Sequence, residues 1–197
     1  LSMFQNRITV ELDLFKDRRE GIFMSALQRN IPDYFGAAPV PANLGQTETK
    51  GFELSLGYKN HTPNQKLSYW TKLDISYAQD KVIVFEDPAL LNDYLKVAGF
   101  QINQTKTQVR TGFINNWDEI YASVPLSSNM GHRLPGDWDL LDYNGDGVIN
   151  TFDVVNFGYP TRPTQTYNFS FGLSYGNFSL MAQFFAVTGI SLRAPYM

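Results

Sequence analysis

The chain has 197 residues, with 16 Lys and Arg against 19 Asp and Glu and a net charge of −3, which leaves no basic surplus of the kind nucleic-acid binding needs. It has no cysteine and only two histidines, His61 and His132; this excludes disulfides, thiolate and iron–sulfur centres, cysteine nucleophiles and a three-histidine metal site. Aromatic residues reach 15% and hydrophobic residues 43%, too much for a disordered chain, yet no apolar run approaches the ~18 residues of a membrane-crossing helix.

The opening, Leu1-Ser2-Met3-Phe4-Gln5-Asn6, is neither an initiator methionine nor a leader peptide and reads as the middle of a strand, so the chain is expected to be a fragment of a longer polypeptide. Strict alternation follows. Ile8, Val10, Leu12 and Leu14 alternate with Arg7, Thr9, Glu11 and Asp13, the mark of a strand with two unlike faces. The charged run Lys16 to Glu20 reads as a short turn, and Gly21 to Ala26 as a weaker strand. Gln28 to Thr47 reads as a long connection. Phe52, Leu54, Leu56 and Tyr58 then share one face, and Asn60 to Gln65 forms a short turn. Leu67, Tyr69, Thr71, Leu73, Ile75 and Tyr77 line the next strand. After the long stretch Asp80 to Thr164, Tyr167, Phe169, Phe171, Leu173 and Tyr175 alternate again. Gly176-Asn177, a two-residue hairpin signal, leads into Phe178, Leu180, Ala182 and Phe184.

Strands of about 10–12 residues exceed the common mode of about 5–6 and match the ~9–11 of a tilted membrane strand. Short and long connections alternate, as in outer-membrane barrels, whose tight turns lie on the periplasmic side and long loops outside. The fold class is therefore all-β: antiparallel strands of a large transmembrane β-barrel with long extracellular loops, spanning residues 1–197. Parity assigns 80–164 to one folded extracellular loop and keeps Thr107 to Asn116 out of the wall. Six strands close no such barrel, and an open edge does not survive in lipid, so strands outside this sequence are required. The alternative is a secreted β-sandwich binding module, which also alternates.

One motif carries explicit chemistry. Residues 142–153 match a twelve-residue calcium loop: Asp142, Asn144 and Asp146 at positions 1, 3 and 5, Gly147 at the sharp turn, the Val148 carbonyl at position 7, Asn150 at position 9 and Asp153 at position 12. Hard oxygen donors at this spacing suit Ca2+, and Mg2+ less well. Asp153 replaces the usual Glu, as in dockerin-type loops; Ile149 should anchor the loop in apolar packing, and a short helical turn should follow Asn150 toward Gly158. All positions are taken by protein ligands and water, so the ion's expected role is structural. Glu86-Asp87 and Asp118-Glu119 are adjacent carboxylates that do not face one another. No nucleophile elbow or phosphate loop occurs, and no enzymatic activity is expected. Tyr58, Tyr69, Tyr77, Tyr167 and Tyr175 are candidates for interfacial aromatic girdles.

These motifs together resemble the C-terminal barrel half of the SusC/RagA family, TonB-linked outer-membrane transporters of Bacteroidetes. The resemblance rests on Pro135-Gly136-Asp137, the 142–153 loop, Gly158, Pro163 and two aromatic strands. Upstream it includes Asn43-Leu44-Gly45 with Lys50-Gly51-Phe52-Glu53-Leu54, then Gly99 and Ile102, Gly112-Phe113-Ile114 and Trp117-Asp118-Glu119-Ile120. It departs at Val154-Val155-Asn156-Phe157, where the family is more polar. The resemblance implies a barrel of about 22 strands in contact with outer-membrane lipid, and an N-terminal plug and a TonB-contacting segment outside this stretch. It also implies a SusD-like surface lipoprotein as partner and oligosaccharide or peptide as cargo. Arg7, Glu11, Asp13, Glu53, Lys72 and Asp74 would line the lumen.

Overall fold

The computed structural model describes residues 2–31, 34, 36–63 and 66–192. Strand β1 (Ser2–Met3) turns through Phe4, Gln5 and Asn6, all at positive φ, into β2 (Ile8–Met24). Strands β3 (Ala42–His61) and β4 (Leu67–Val84) follow. The chain then leaves the sheet for an insert, residues 85–164. Within it β5 (Gln104–Gln108) pairs with β8 (Val154–Pro160), and β6 (Arg110–Phe113) with β7 (Trp138–Leu140). A short helix α1 (Trp117–Ala122) is capped by Asn116, whose side chain accepts from the Glu119 amide, satisfying one of the donors a helix start leaves open. Strands β9 (Gln165–Tyr175) and β10 (Phe178–Thr188) return to the main sheet. That sheet has six antiparallel strands in the order β1-β2-β3-β4-β9-β10.

Short and long connections do alternate, but the first short one is misplaced in the sequence reading. Lys16 to Glu20 is not a turn: β2 runs through it, with Lys16, Asp17 and Arg18 opposite Lys50, Thr49 and Glu48. A turn draws on residues that tolerate reversal, and before Gly21 this run offers only Asp17. There the backbone takes φ +67° and the register shifts between Arg19 and Ile22, a bulge rather than a reversal. The reversal itself is at 4–6. The long connection accordingly spans 25–41, and Asn43-Leu44-Gly45 is already strand. Of the expected 60–65 turn, Asn64 and Gln65 lie outside the described residues.

A second correction concerns the stretch after Asn150. Only a 3₁₀ turn, Thr151–Asp153, forms before β8 begins. Val154 and Val155 are β-branched and pair with Gln108 and Thr107, so the departure from the family pattern at 154–157 is strand chemistry, not an awkward helix.

Register converts the alternation into two continuous faces. One carries the rows Val10–Leu56–Leu73–Phe169–Phe184 and Leu12–Leu54–Ile75–Tyr167–Ala186. The other carries Glu11–Ser55–Asp74–Asn168 and Asp13–Glu53–Ser76–Thr166. The buried apolar residues Met24, Val82, Ile114, Ile149 and Val155 all lie at the far end of the long strands or in the insert. The apolar face of the sheet is bare: Leu14 is 73% exposed and Phe178 82%. Among the described residues no second layer packs on it. A soluble sandwich buries that face against another sheet, so the sandwich alternative fails on this point.

Candidate functional site

The calcium-type loop is built from its own backbone. Gly145 and Gly147 take φ +72° and +84°, conformations open to glycine, and the tight path they allow turns successive amides inward. The Asp142 carboxylate accepts from the amides of Gly145 at 2.8 Å, Asp146 at 3.2 Å and Gly147 at 2.8 Å. Asp146 accepts from the side chains of Asn144 at 2.9 Å and Asn150 at 3.2 Å and from the Val148 amide at 2.9 Å. Led by the Asn144 bond, these contacts hold the Asp146 carboxyl below the usual carboxylate range, because a hydrogen bond to the charged form favours it. Asn150 caps the following 3₁₀ turn, accepting from the Phe152 amide.

Asp153 lies behind this rim. It is completely buried, and its two oxygens accept from the amides of Tyr143 at 2.8 Å, Asn144 at 3.4 Å and Asn150 at 2.7 Å. Ile149, also fully buried, exchanges backbone bonds with Pro125 and Ser127 and bridges to Leu126. The loop is thereby fastened to the rest of the insert at position 8.

All six residues expected to bind the ion, Asp142, Asn144, Asp146, Val148, Asn150 and Asp153, thus fall in one loop. The donor set is oxygen throughout, and none of the three carboxylates forms an ion pair among the described residues, a chemistry that fits a hard divalent cation. The carboxylates face amides rather than one another: among the described residues no three Asp, Glu, His or Cys side chains are gathered as a ready metal cluster.

On the sheet, the polar face is a hydrogen-bonded surface. Ser55 donates to Asp74 at 2.7 Å, Lys72 pairs with Asp74 at 3.0 Å, and Gln183 donates to Asn168 at 2.9 Å. Glu11, Asp13, Glu53, Asp74 and Asn168 line a shallow hollow of about 790 Å³ there. On the apolar face, tyrosines gather near both ends. Tyr58, Tyr69 and Tyr175 lie toward the short turns, where Asn60 donates to both Tyr58 and Tyr69. Tyr77 and Tyr167 lie toward the insert.

Three features escaped the sequence reading. Arg29 pairs with Glu86 at 2.5 Å and donates to the Val40 carbonyl, tying the 25–41 connection to the start of the insert. Arg110 lies over the Trp138 ring, 4.6 Å from its centroid, and Phe113 stacks on the same indole at 3.9 Å. Lys16, Lys50 and Glu48 form an ion-paired cluster on the outward face. The first two depend on distant pairings that no local pattern announces; the third was hidden by reading 16–20 as a turn.

No family model matches the chain. Two TonB-dependent receptors of Formosa agariphila align over nearly all of it. P3 is 27% identical over 202 residues, covering 96% of the chain, and P26 is 27% identical over 197 residues, covering 95%. The structure superposes on the RagAB peptide importer in its open-open state with a TM-score of 0.65 over 96% of the chain, at 15% identity.

The chain is similar in sequence to TonB-dependent receptors and in fold to the RagAB importer.

A second RagAB structure agrees, with a TM-score of 0.60 over 95% of the chain at 16% identity. The chain spans 19% of the length of each of the two receptors. Its fold is accordingly a fragment of antiparallel barrel wall, and no helix among the described residues is long and apolar enough to cross a membrane.

Proposed function

We propose that this chain forms part of the wall, with one large outward insert, of a TonB-dependent nutrient importer in the bacterial outer membrane. The observation that carries the reading is the pair of uncovered sheet faces. One is largely apolar across five strands over a height of about 11 residues, the span of a tilted membrane strand, interrupted by Thr71 and ending at Gln165 and Thr188. The other is polar across β2, β3, β4 and β9, with Phe185 and Val187 on β10 at its edge. Water on both sides would leave the apolar face an aggregation surface; hydrocarbon on one side and a channel on the other satisfies both. The transport chemistry is then passive at this segment: it catalyses no reaction, and energy enters through TonB acting on regions outside this sequence.

The cargo is an oligosaccharide or peptide passing the face that carries Glu11, Asp13, Glu53 and Asp74. The peptide importer among the structural relatives supports the second class. A SusD-like surface lipoprotein meets the insert and closes the mouth. The 142–153 loop binds calcium through Asp142, Asn144, Asp146, the Val148 carbonyl, Asn150 by way of water, and Asp153. Bound there, the ion offsets most of the charge of the loop's three carboxylates and stiffens the insert where it meets the partner.

Fractionation of cells carrying the parent protein tests the reading. The protein is expected in the outer membrane and, in electrophoresis without boiling, as a fast-migrating band that slows on heating. A parent protein found in the soluble fraction would end the importer reading.

A further inference from the structure

The outward face changes character abruptly one row above its apolar belt. The top belt row is Leu14–Phe52–Tyr77. The next rows are Lys16–Lys50–Gln79 and Arg18–Glu48–Lys81. Contacts confirm that these side chains share the face. Glu48 pairs with Lys16 at 2.9 Å and Lys50 at 2.7 Å, and the Tyr77 hydroxyl of the belt donates to Gln79 at 2.9 Å. Arg18 reaches Gln46 and pairs with Glu20.

The charges do not balance. Four cations, Lys16, Arg18, Lys50 and Lys81, stand against Glu48 and Glu20. Among the described residues Lys81 makes no ion pair within 4.0 Å. Lys16 and Lys50 are direct cross-strand partners, and like charges in that position repel. Glu48 is only 14% exposed while both lysines remain 61% exposed, so their outer sides are free for a second anion. The opposite end of the same face is different: its last rows hold Tyr58, Asn60, Tyr69, Leu67, Tyr175 and Phe178, with Arg7 alone as a cation near Tyr58 and Tyr69.

We propose that the Lys16, Lys50 and Lys81 cluster binds lipid headgroups of net negative charge in the leaflet on the insert side of the membrane. The inference rests on the reading of the apolar face as lipid-facing. Given that reading, the cluster sits at the height where headgroups begin, and its surplus charge is the sign they require. A basic residue at that depth is worth about fivefold in affinity for an anionic surface. The surplus of outward cations at the insert end then distinguishes the two leaflets. It also explains why β2, β3 and β4 continue as strands beyond the belt: they carry the cations up into the headgroup layer on a rigid sheet.

The test uses the full parent protein, purified from membranes in neutral detergent. Native mass spectrometry counts retained phosphatidylglycerol against phosphatidylcholine of the same chain length. The anionic lipid is expected to be retained preferentially. Substitution of Lys16→Gln, Lys50→Gln and Lys81→Gln together should reduce that preference on the order of a hundredfold, whereas Lys59→Gln, on the inward face, should leave it unchanged. Equal retention of the two lipids overturns the inference, as does a triple variant that keeps the preference. Displacement of the lipid by inorganic phosphate at equal concentration would mark a small-anion site and overturn the lipid assignment. Heat-modifiable migration of each variant reports whether the wall has assembled. An assembled protein without the preference defeats this inference alone, whereas a parent that is not membrane-bound defeats the importer reading as well.

Discussion

Asp153 and Ile149 are the two fully buried side chains of the calcium-type loop, and they do different work. Ile149 fixes the loop by packing, so Ile149→Ala should cost about 2–5 kcal/mol of insert stability whether or not calcium is present. Asp142 and Asp146 form the rim and accept its amide bonds, so their replacement loosens the loop with or without the ion, and only the calcium-dependent part of its stability reports binding. With calcium at a hundredfold excess over its dissociation constant, the native loop gains about 2.7 kcal/mol. In the Asp142→Ala, Asp146→Ala double variant that gain should vanish. Protease resistance of the insert, with and without chelator, separates the two effects, and metal analysis checks the ion directly; unchanged calcium content in the double variant would refute the assignment. The spacing Asp-x-Asn-x-Asp-Gly displayed the rim in the sequence. It did not reveal that Asp153 faces three backbone amides, since those contacts depend on the conformation of Tyr143, Asn144 and Asn150 once the glycines have turned the chain.

At the level of elements, period-two alternation located the strands wherever the two sides of the sheet meet different surroundings. Leu12, Leu54, Ile75 and Tyr167 share a row because each faces the apolar side, and a sequence displays that contrast directly. The signal fails where both sides are wet. In Lys16-Asp17-Arg18-Arg19-Glu20 every residue is charged, the period disappears, and charge suggests a turn. The strand persists because its neighbour β3 supplies both a hydrogen-bond ladder and Glu48 to the cations. A cysteine pair tests this element. Arg18 and Glu48 are direct cross-strand partners, and antiparallel partners hold their Cα atoms about 4.5–5.5 Å apart, within disulfide reach. Because the segment has no native cysteine, Arg18→Cys with Glu48→Cys should cross-link on mild oxidation and shift electrophoretic mobility on reduction. A turn at 16–20 would leave the pair unlinked. The insert gave less away. Its small sheets join Gln108 to Val154 and Phe113 to Trp138, pairings set by a compact loop rather than by any period.

For the whole molecule, the decisive property is that a single sheet has one mainly apolar and one mainly polar side. Gly172 illustrates how closely the inward side is fitted. A Cβ there would lie 2.3 Å from Trp70 Nε1, so the indole lies across the strand on the polar face while Phe171 and Leu173 point the other way. Substitutions at matched height but on opposite faces should therefore have opposite consequences. Leu73 occupies the middle apolar row between Leu56 and Phe169. Leu73→Arg places a charge at the bilayer midplane and should cost about 2–4 kcal/mol, seen as a lower guanidinium midpoint and less folded protein in the outer membrane. Ser76 lies on the polar face between Glu53 and Thr166. Ser76→Arg adds the same side chain beside carboxylates and water, so assembly should be unchanged within about 0.5 kcal/mol, while uptake of charged cargo shifts. Equal destabilisation by both would mean that the two faces meet the same medium, and a wall between lipid and channel would no longer describe this sheet.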